Sequence, residues 1–369
     1  MVILIISPEA WGVNHVSKHH YAIELSNRNN IVYFLNPPSI GGRGHRILRS
    51  SSNNRLFIIE NPLIFRGLNH VPISIGKYFQ RMFAKQILRD ILHRVDIVWS
   101  FDPYRFQFMP VFQANLNIYH AVDVHKTEVE LNIADNSDLL FASSDRILDK
   151  FTTIEKPKFK INHGLAEYFL NKKHNNIPFI KNPERINVGY VGNLHYSFLD
   201  VSTLKEIIVK NQNIDFYFIG PFDKSNLSQR INDYNFIKFL RSRINVYLLG
   251  SIPSTHLPDY LSQCDLFLMC YSGDKNIAEL ANPHKILEFL SFGKVVVSHY
   301  IDEYRNMRDI IEMVDNNELL PSAFQRVVEN LDHYNSDHKS NKRIMYARAN
   351  TYSKQIEKIE NIISDLSIF

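Results

Sequence analysis

Residues 282–300 read NPHKILEFLSFGKVVVSHY, and the way this stretch folds decides the architecture around it. Ile286, Leu287, Phe289 and Leu290 recur at the spacing of one helical face, and Pro283 stands where a first turn can open because its missing N–H is not needed there. Gly293 closes the helix. KVVVSH (294–299) follows as an apolar run of the kind found in strands covered on both faces. The stretch predicts a short interior helix feeding a buried parallel strand. Lys285 and Glu288 are out of place in such a helix unless its opening turn meets something charged.

The same alternation runs outward in both directions. Strands are predicted at VILII (2–6), IVYFL (31–35), DIVWS (96–100), LNIYH (116–120) and DLLFAS (138–143), with helices beginning at Ser17 and Ser74. NKKHNNIPFIKNPERI (171–186) is polar, aperiodic and broken by two prolines, and is expected to be a linker. A second series then starts, with strands INVGYVG (186–192), IDFYFIG (214–220), INVYLLG (244–250), DLFLMC (265–270) and KVVVSH, and helices over 199–210, 254–263, 283–292 and 321–334. One long helix from Asn341 to about Leu366 is expected to close the chain. The 369 residues exceed what one hydrophobic core usually supports. The expectation is an α/β protein of two doubly wound, Rossmann-like domains, 1–170 and 187–340, facing across a cleft where the strands' carboxyl ends bind ligands.

Composition narrows the class. Hydrophobic residues at 45% and charged residues at 22% are ordinary for a globular chain and exclude a disordered one. The only cysteines, Cys264 and Cys270, flank the apolar DLFLM, so neither a disulfide framework nor a zinc site is expected, and a reducing cytoplasm fits. The opening VILII is too short to span a membrane and lacks the basic lead and small-residue cleavage site of a signal peptide. No later window reaches about eighteen continuous apolar residues, so membrane contact is expected to be peripheral. Net charge is only +4 and no zinc-finger, helix-turn-helix or RNP-type motif is present, which argues against a nucleic-acid partner.

The charges of the opening stretch suggest what docks there. Free N–H groups at a helix start attract anions, and Lys285 in the first turn adds a full charge, so a diphosphate is a natural occupant. Glu288 lies three residues on, on nearly the same face, where its carboxylate can accept from two ribose hydroxyls. Phosphate and ribose together make a nucleotide. The alternative is an ordinary i,i+3 surface pair, which the apolar surroundings of this helix disfavour.

The segment 282–298 also resembles the donor-binding segment of GT-B glycosyltransferases of the type that builds bacterial polysaccharides, where a Pro-x-Lys-x-x-Glu helix holds the nucleotide sugar. GYVGNL (189–194), FYFIGP (216–221), NVYLLGSIPSTHLPDYLSQCDLFLMCY (245–271), and SSDRILDKF (143–151) followed by INHGLAEYF (161–169) are similar to segments of the same enzymes. ARANTYSKQIEKIENII (347–363) resembles their last helix, so 341–369 is expected to cross back to the first domain. The resemblance implies a UDP- or GDP-linked sugar as co-substrate, with neither cofactor nor metal, held by Gly192, Asn193, His195, Asn282, Pro283, His284, Lys285 and Glu288. Three positions depart from the retaining subgroup. Leu280 stands where an acidic residue is usual, with Glu279 beside it; Asn193 takes the Arg position; and Ser197 or Phe198 takes the Lys position. Phosphate neutralisation then falls to Lys285 and backbone N–H groups, assisted by His195, and both a retaining and an inverting course stay open.

In the first half, NIYHAVDVHK (117–126) ends a strand at about His120 and puts Asp123 in the loop that follows. The segment resembles that of exopolysaccharide glucuronosyltransferases, whose base is an Asp at this place, and implies that Asp123 deprotonates the acceptor hydroxyl. The alternatives are an Asp that caps the next helix, or, in a retaining enzyme, one that positions the sugar. The loop SPEAWGVNHVSKHH (7–20) is placed by the same resemblance on the acceptor side, with Trp11, Lys18, His19 and His20 reaching acceptor or phosphates. Without a third ligand at proper spacing, the histidines predict no metal site.

Charge is concentrated in the first half. Arg43, Arg46, Arg49 and Arg55 occur without an acid between them, and the helix from Ser74 to Arg94 carries Lys77, Arg81, Lys85, Arg89 and Arg94 against Asp90 alone. Tyr78, Phe79, Met82, Phe83, Ile87 and Leu88 interleave with these cations, as in an interfacial helix drawn to anionic lipid; a core helix with a solvated basic face is the alternative. The combined expectation is a cytoplasmic protein at the inner face of the cell membrane, moving a hexose from a nucleotide sugar to a lipid-linked or oligosaccharide acceptor in polysaccharide biosynthesis. A sugar-nucleotide 2-epimerase of the same fold, or a non-enzymatic two-domain ligand-binding protein, are the alternatives. Nothing in the sequence signals an oligomeric state.

Overall fold

A computed structural model describes residues 1–12, 14–39, 46–50, 53–62, 73–171, 177, 179–180, 182–222, 234–272 and 282–366. Arg43, Glu279, Leu280 and part of 171–186 lie outside them. The chain forms two compact units, Met1–Gly164 with Tyr352–Phe369, and Leu165–Thr351.

The first unit contains β1 (Val2–Ile6), α1 (Ser17–Asn27), β2 (Ile31–Ser39), β3 (Arg46–Arg49), β4 (Leu56–Pro62), α2 (Ile73–Asp90), β5 (Ile97–Ser100), β6 (Leu116–Ala121), α3 (Thr127–Asp135), β7 (Leu139–Ala142), α4 (Asp145–Asp149) and β8 (Lys158–Lys160). Its eight strands run in the order β3-β4-β2-β1-β5-β6-β7-β8, all parallel except the β3–β4 edge pair. The central strands β5, β6 and β7 are buried throughout and mostly apolar, with Ser100, Asn117 and His120 the polar residues among them. The edge differs: β3 carries Arg46 and Arg49 on a mostly exposed strand, so it has no continuous apolar run to predict it. The α2 helix stops at Asp90, and Arg94 lies beyond it, donating to Asn115 Oδ1 at 3.1 Å.

The second unit contains β9 (Asn187–Val191), α5 (Val201–Lys210), β10 (Asp215–Ile219), α6 (Tyr234–Arg241), β11 (Val246–Gly250), α7 (Leu257–Leu261), β12 (Leu266–Met269), α8 (Lys285–Leu290), β13 (Val295–Ser298), β14 (Glu312–Met313), α9 (Leu320–Glu329), α10 (Leu331–Tyr334) and α11 (Asp337–Ala349). Its six strands are ordered β11-β10-β9-β12-β13-β14, all parallel. The glycines at the strand ends have a steric reason. Gly220 sits at φ +146°, where a Cβ would lie 1.9 Å from the Gly192 carbonyl oxygen, so only glycine lets β9 and β10 finish side by side. The described part of 171–186 packs within this unit, where Phe179 lies against Tyr217 and Tyr260.

The expected single closing helix is two. Helix α11 ends at Ala349, and α12 (Tyr352–Asp365) begins after a break in which Asn350 donates to the Tyr346 carbonyl and Thr351 bridges Leu165. An Asn–Thr pair that hydrogen-bonds locally or in strand fashion competes with helix continuation. Helix α12 packs on α1 in the first unit, where Arg28 donates to Glu360 at 2.7 Å and to Ser353.

Candidate active site

Helix α8 delivers Lys285 and Glu288. Its other residues, Ile286, Leu287, Phe289 and Leu290, are buried, and Phe289 stacks on Phe267 of β12 with ring centroids 4.4 Å apart. Gly293, at φ +71°, turns the chain where a Cβ would meet Ser340 of α11. Buried Arg343 of α11 then donates to the carbonyls of Gly293, Tyr334 and Ile310. The helix is therefore pinned along its length and cannot rotate its polar pair away.

That pair is closed on itself. Lys285 Nζ lies 3.0 Å from both Glu288 oxygens, and His284 Nε2 lies 3.6 Å from Oε1. Neither side chain is a solvated surface arm, at 20% and 12% exposure. Burial pushes the Glu288 carboxyl upward, and the charge and hydrogen bond of Lys285 oppose but do not cancel it. Tyr168, in the short 3-10 turn Glu167–Phe169, lies near enough to Glu288 for burial and that carboxylate to raise its phenol. The helix itself is shorter than expected. Its regular part is six residues starting at Lys285, and Pro283 stands one turn earlier, accepting from the Ile286 N–H at 3.0 Å. So short a helix carries a small dipole, which leaves Lys285 as the main source of positive potential.

At the carboxyl end of the same parallel sheet, the chain leaves β9 through Gly192, Asn193 and His195. Asn193 Oδ1 accepts the His195 backbone N–H at 2.9 Å, and His195 Nε2 is 2.8 Å from the Phe222 carbonyl oxygen, with the ring buried. A nitrogen that donates to a carbonyl is not offered to a phosphate, so His195 shapes this loop rather than supplying charge from Nε2. Asn282 is buried immediately before the α8 turn.

In the first unit the loops after β1, β5 and β6 are tied to each other and to β2. Arg105 donates to the carbonyls of Ser7 and Asn36 and to Asp102, and the Trp11 N–H donates to Asn36 Oδ1 at 2.8 Å. His19 engages both ring nitrogens inside the loop, with Val16 N at 3.1 Å and the Ala10 carbonyl at 3.0 Å; burial lowers its pKa to about 4, so it is neutral. Trp11 packs on His15, His19 and Phe34. Lys18 turns inward and meets Asp123 Oδ2 at 3.1 Å. Asp123 does not cap α3, whose cap position is Lys126. Its backbone is braced nearby: Glu130, fully buried, accepts from the His125 N–H, while Lys150 donates both to Glu130 and to the His125 carbonyl. Crowding works against the Asp123 charge, but the Lys18 ammonium and its hydrogen bond outweigh it and hold the carboxyl below its usual range. Lys18 is the reverse case. Burial alone would lower it, and the attraction of Asp123 and Glu9 raises it instead.

Helical spacing points to Lys285 and Glu288 and the family resemblance to Lys18 and Asp123, whereas Glu9 and Tyr168, which arrive from separate segments, leave no periodic signal. Among the described residues, no group of three or more His, Cys, Asp or Glu side chains converges to hold a metal ion.

The chain matches solved structures in shape. No protein-family model matches the chain, and no curated protein matches it in sequence. Sucrose-phosphate synthase from Thermosynechococcus elongatus superposes with a TM-score of 0.72 at 11% identity, over 99% of this chain and 98% of that one. A UDP-forming α,α-trehalose-phosphate synthase from Burkholderia xenovorans gives 0.70 at 10% identity, over 99% of each chain. Anabaena Alr3699/HepE in complex with UDP-glucose gives 0.70 at 12% identity, over 99% and 100%. Over its whole length the chain has the GT-B fold of these glycosyltransferases.

Proposed function

We propose that this protein is a nucleotide-sugar-dependent hexosyltransferase that uses a UDP-linked donor and a lipid-linked glycan acceptor in polysaccharide biosynthesis, at the inner face of a membrane. The observation that carries the reading is the half-buried Lys285–Glu288 pair, held on an interior helix at the carboxyl end of the sheet where β9 also ends. Opening that pair frees an ammonium for the diphosphate and a carboxylate for the ribose hydroxyls. Shared fold with structures described as UDP-forming or bound to UDP-glucose supports the donor class.

Asp123 is the base of the transfer. Its carboxylate takes the acceptor hydroxyl's proton while the acceptor oxygen bonds to the anomeric carbon. The bond from that carbon to the diphosphate oxygen breaks, and UDP leaves with the electron pair. The membrane contact is assigned to α2. Arg81, Lys85 and Arg89 line an open groove of about 640 Å³ together with Leu88, Phe108, Pro110, Val111 and Gln113. Tyr78 stands 67% exposed on the same helix.

The test is UDP release from UDP-hexoses in the presence of a lipid-extracted acceptor. Asp123→Asn is expected to fold and bind donor while losing turnover by roughly a hundredfold or more, the scale of general-base loss. Wild-type turnover in that variant across the pH range contradicts the assignment.

A further inference from the structure

Lys18 is a buried cation held between two exposed carboxylates. Its side chain is 4% exposed, against 45% for Glu9 and 59% for Asp123, and its Nζ stands 3.1 Å from each. Lys18 sits in the first turn of α1 and, among the described residues, has no other anionic partner. Glu9 is fixed in turn, since its N–H donates to Ser7 Oγ at 3.1 Å and its carbonyl accepts from the same hydroxyl at 2.7 Å.

This arrangement matters when Asp123 gains a proton. A carboxyl that becomes neutral stops compensating the ammonium beside it, and a buried ammonium without a partner is costly. With Glu9 in contact, Lys18 stays compensated in both states of Asp123. We propose that Glu9 is a positioning residue that, through Lys18, sets how readily Asp123 accepts the acceptor's proton. The proposal rests on the reading of Asp123 as base. Three further groups face Asp123: His125 from its own loop, His163 from the segment after β8, and Tyr119 from β6. None of them bonds Glu9, so the Glu9 effect is separable from theirs.

Glu9 and Lys18 act on Asp123 with opposite sign. Glu9→Gln leaves the whole charge of Lys18 acting on Asp123 and lowers its pKa. Lys18→Met removes that charge and raises it, and Lys18→Arg keeps the wild-type value. A nearby cation favours the ionised carboxyl, so Asp123 is expected to titrate at lower pH in Glu9→Gln and at higher pH in Lys18→Met than in the wild-type protein.

The experiment is a pH titration of aspartate side-chain carboxyl carbons by NMR in the full-length protein, with Asp123 assigned by the signal lost in Asp123→Asn. A downward move in Glu9→Gln and an upward move in Lys18→Met support the proposal. An unmoved or upward-moving Asp123 in Glu9→Gln overturns it, and this variant is expected to fold because Glu9 is partly exposed. Turnover separates the two readings. If Asp123→Asn keeps wild-type turnover, the base reading fails and the proposal fails with it. If that variant is inactive while Glu9→Gln leaves Asp123 unmoved, only the role of Glu9 is lost.

Discussion

Glu288 is a carboxylate held against its own preference. Burial raises its pKa in the fold, so its ionised form at neutral pH costs stability. The penalty is complete above the folded-state value and disappears below the unfolded-state value of 4.5. Glu288→Gln is therefore expected to melt at or above the wild-type temperature at pH 7 while binding nucleotide less tightly, and the difference in melting should shrink as pH falls into the carboxylate range. A variant that melts lower at pH 7 contradicts this. The Lys18–Asp123 pair has the opposite signs. The contribution of Asp123 is present above its unfolded value of 3.8 and lost as pH falls through its lowered folded value; that of Lys18 is present below 10.5 and lost as pH rises through its raised one. Lys18→Met is expected to lose stability mainly between those limits, measured by thermal unfolding across pH. Spacing made Lys285 and Glu288 legible because three residues on one helix must share a face. Glu9 and Tyr168 were not legible, because only long-range packing brings them to their partners.

At the scale of elements, most long buried strands were readable, including the edge strand β11, while β3, β4, β8 and β14 were not. The strands β5, β6 and β7 announce themselves by continuous burial, whereas β3 is exposed and β14 has two residues. The break between α11 and α12 leaves little mark in the sequence because helical periodicity continues on both sides of Asn350. Helix α3 matters through Glu130, which is fully buried and ties Lys150 to the backbone of the Asp123 loop. Glu130→Ala leaves the Lys150 ammonium without its carboxylate and is expected to cost roughly 3–5 kcal/mol in denaturant unfolding of the first unit; a loss near zero would show that the pair is not needed to hold the loop. Helix α2 spends part of its charge on packing, since Lys77 Nζ lies 4.7 Å from the Phe108 ring centre. Its remaining basic face is expected to bind anionic but not neutral vesicles, to release at high salt, and to lose binding when Lys77, Arg81 and Lys85 become Glu, because each cation near such a surface adds about 1 kcal/mol. Binding that survives the charge reversal assigns α2 to packing alone.

For the whole molecule, strand and helix alternation pointed to two doubly wound units and the motif resemblance to the GT-B class, although identity to the solved structures is only 10–12%. The pattern survives because a parallel sheet demands apolar strands wherever helices cover it, whatever the individual side chains are. Donor chemistry depends instead on a few polar groups, and the central claim is that Lys285 and Glu288 hold the nucleotide. Calorimetric titration of UDP into the wild-type protein and into Lys285→Ala and Glu288→Ala, each checked for folding by circular dichroism, tests it most directly. Loss of a charge-assisted partner costs about 1.5–3 kcal/mol, so each variant is expected to bind UDP at least about tenfold more weakly than wild type. UDP affinity that is the same in both variants as in the wild-type protein contradicts the claim.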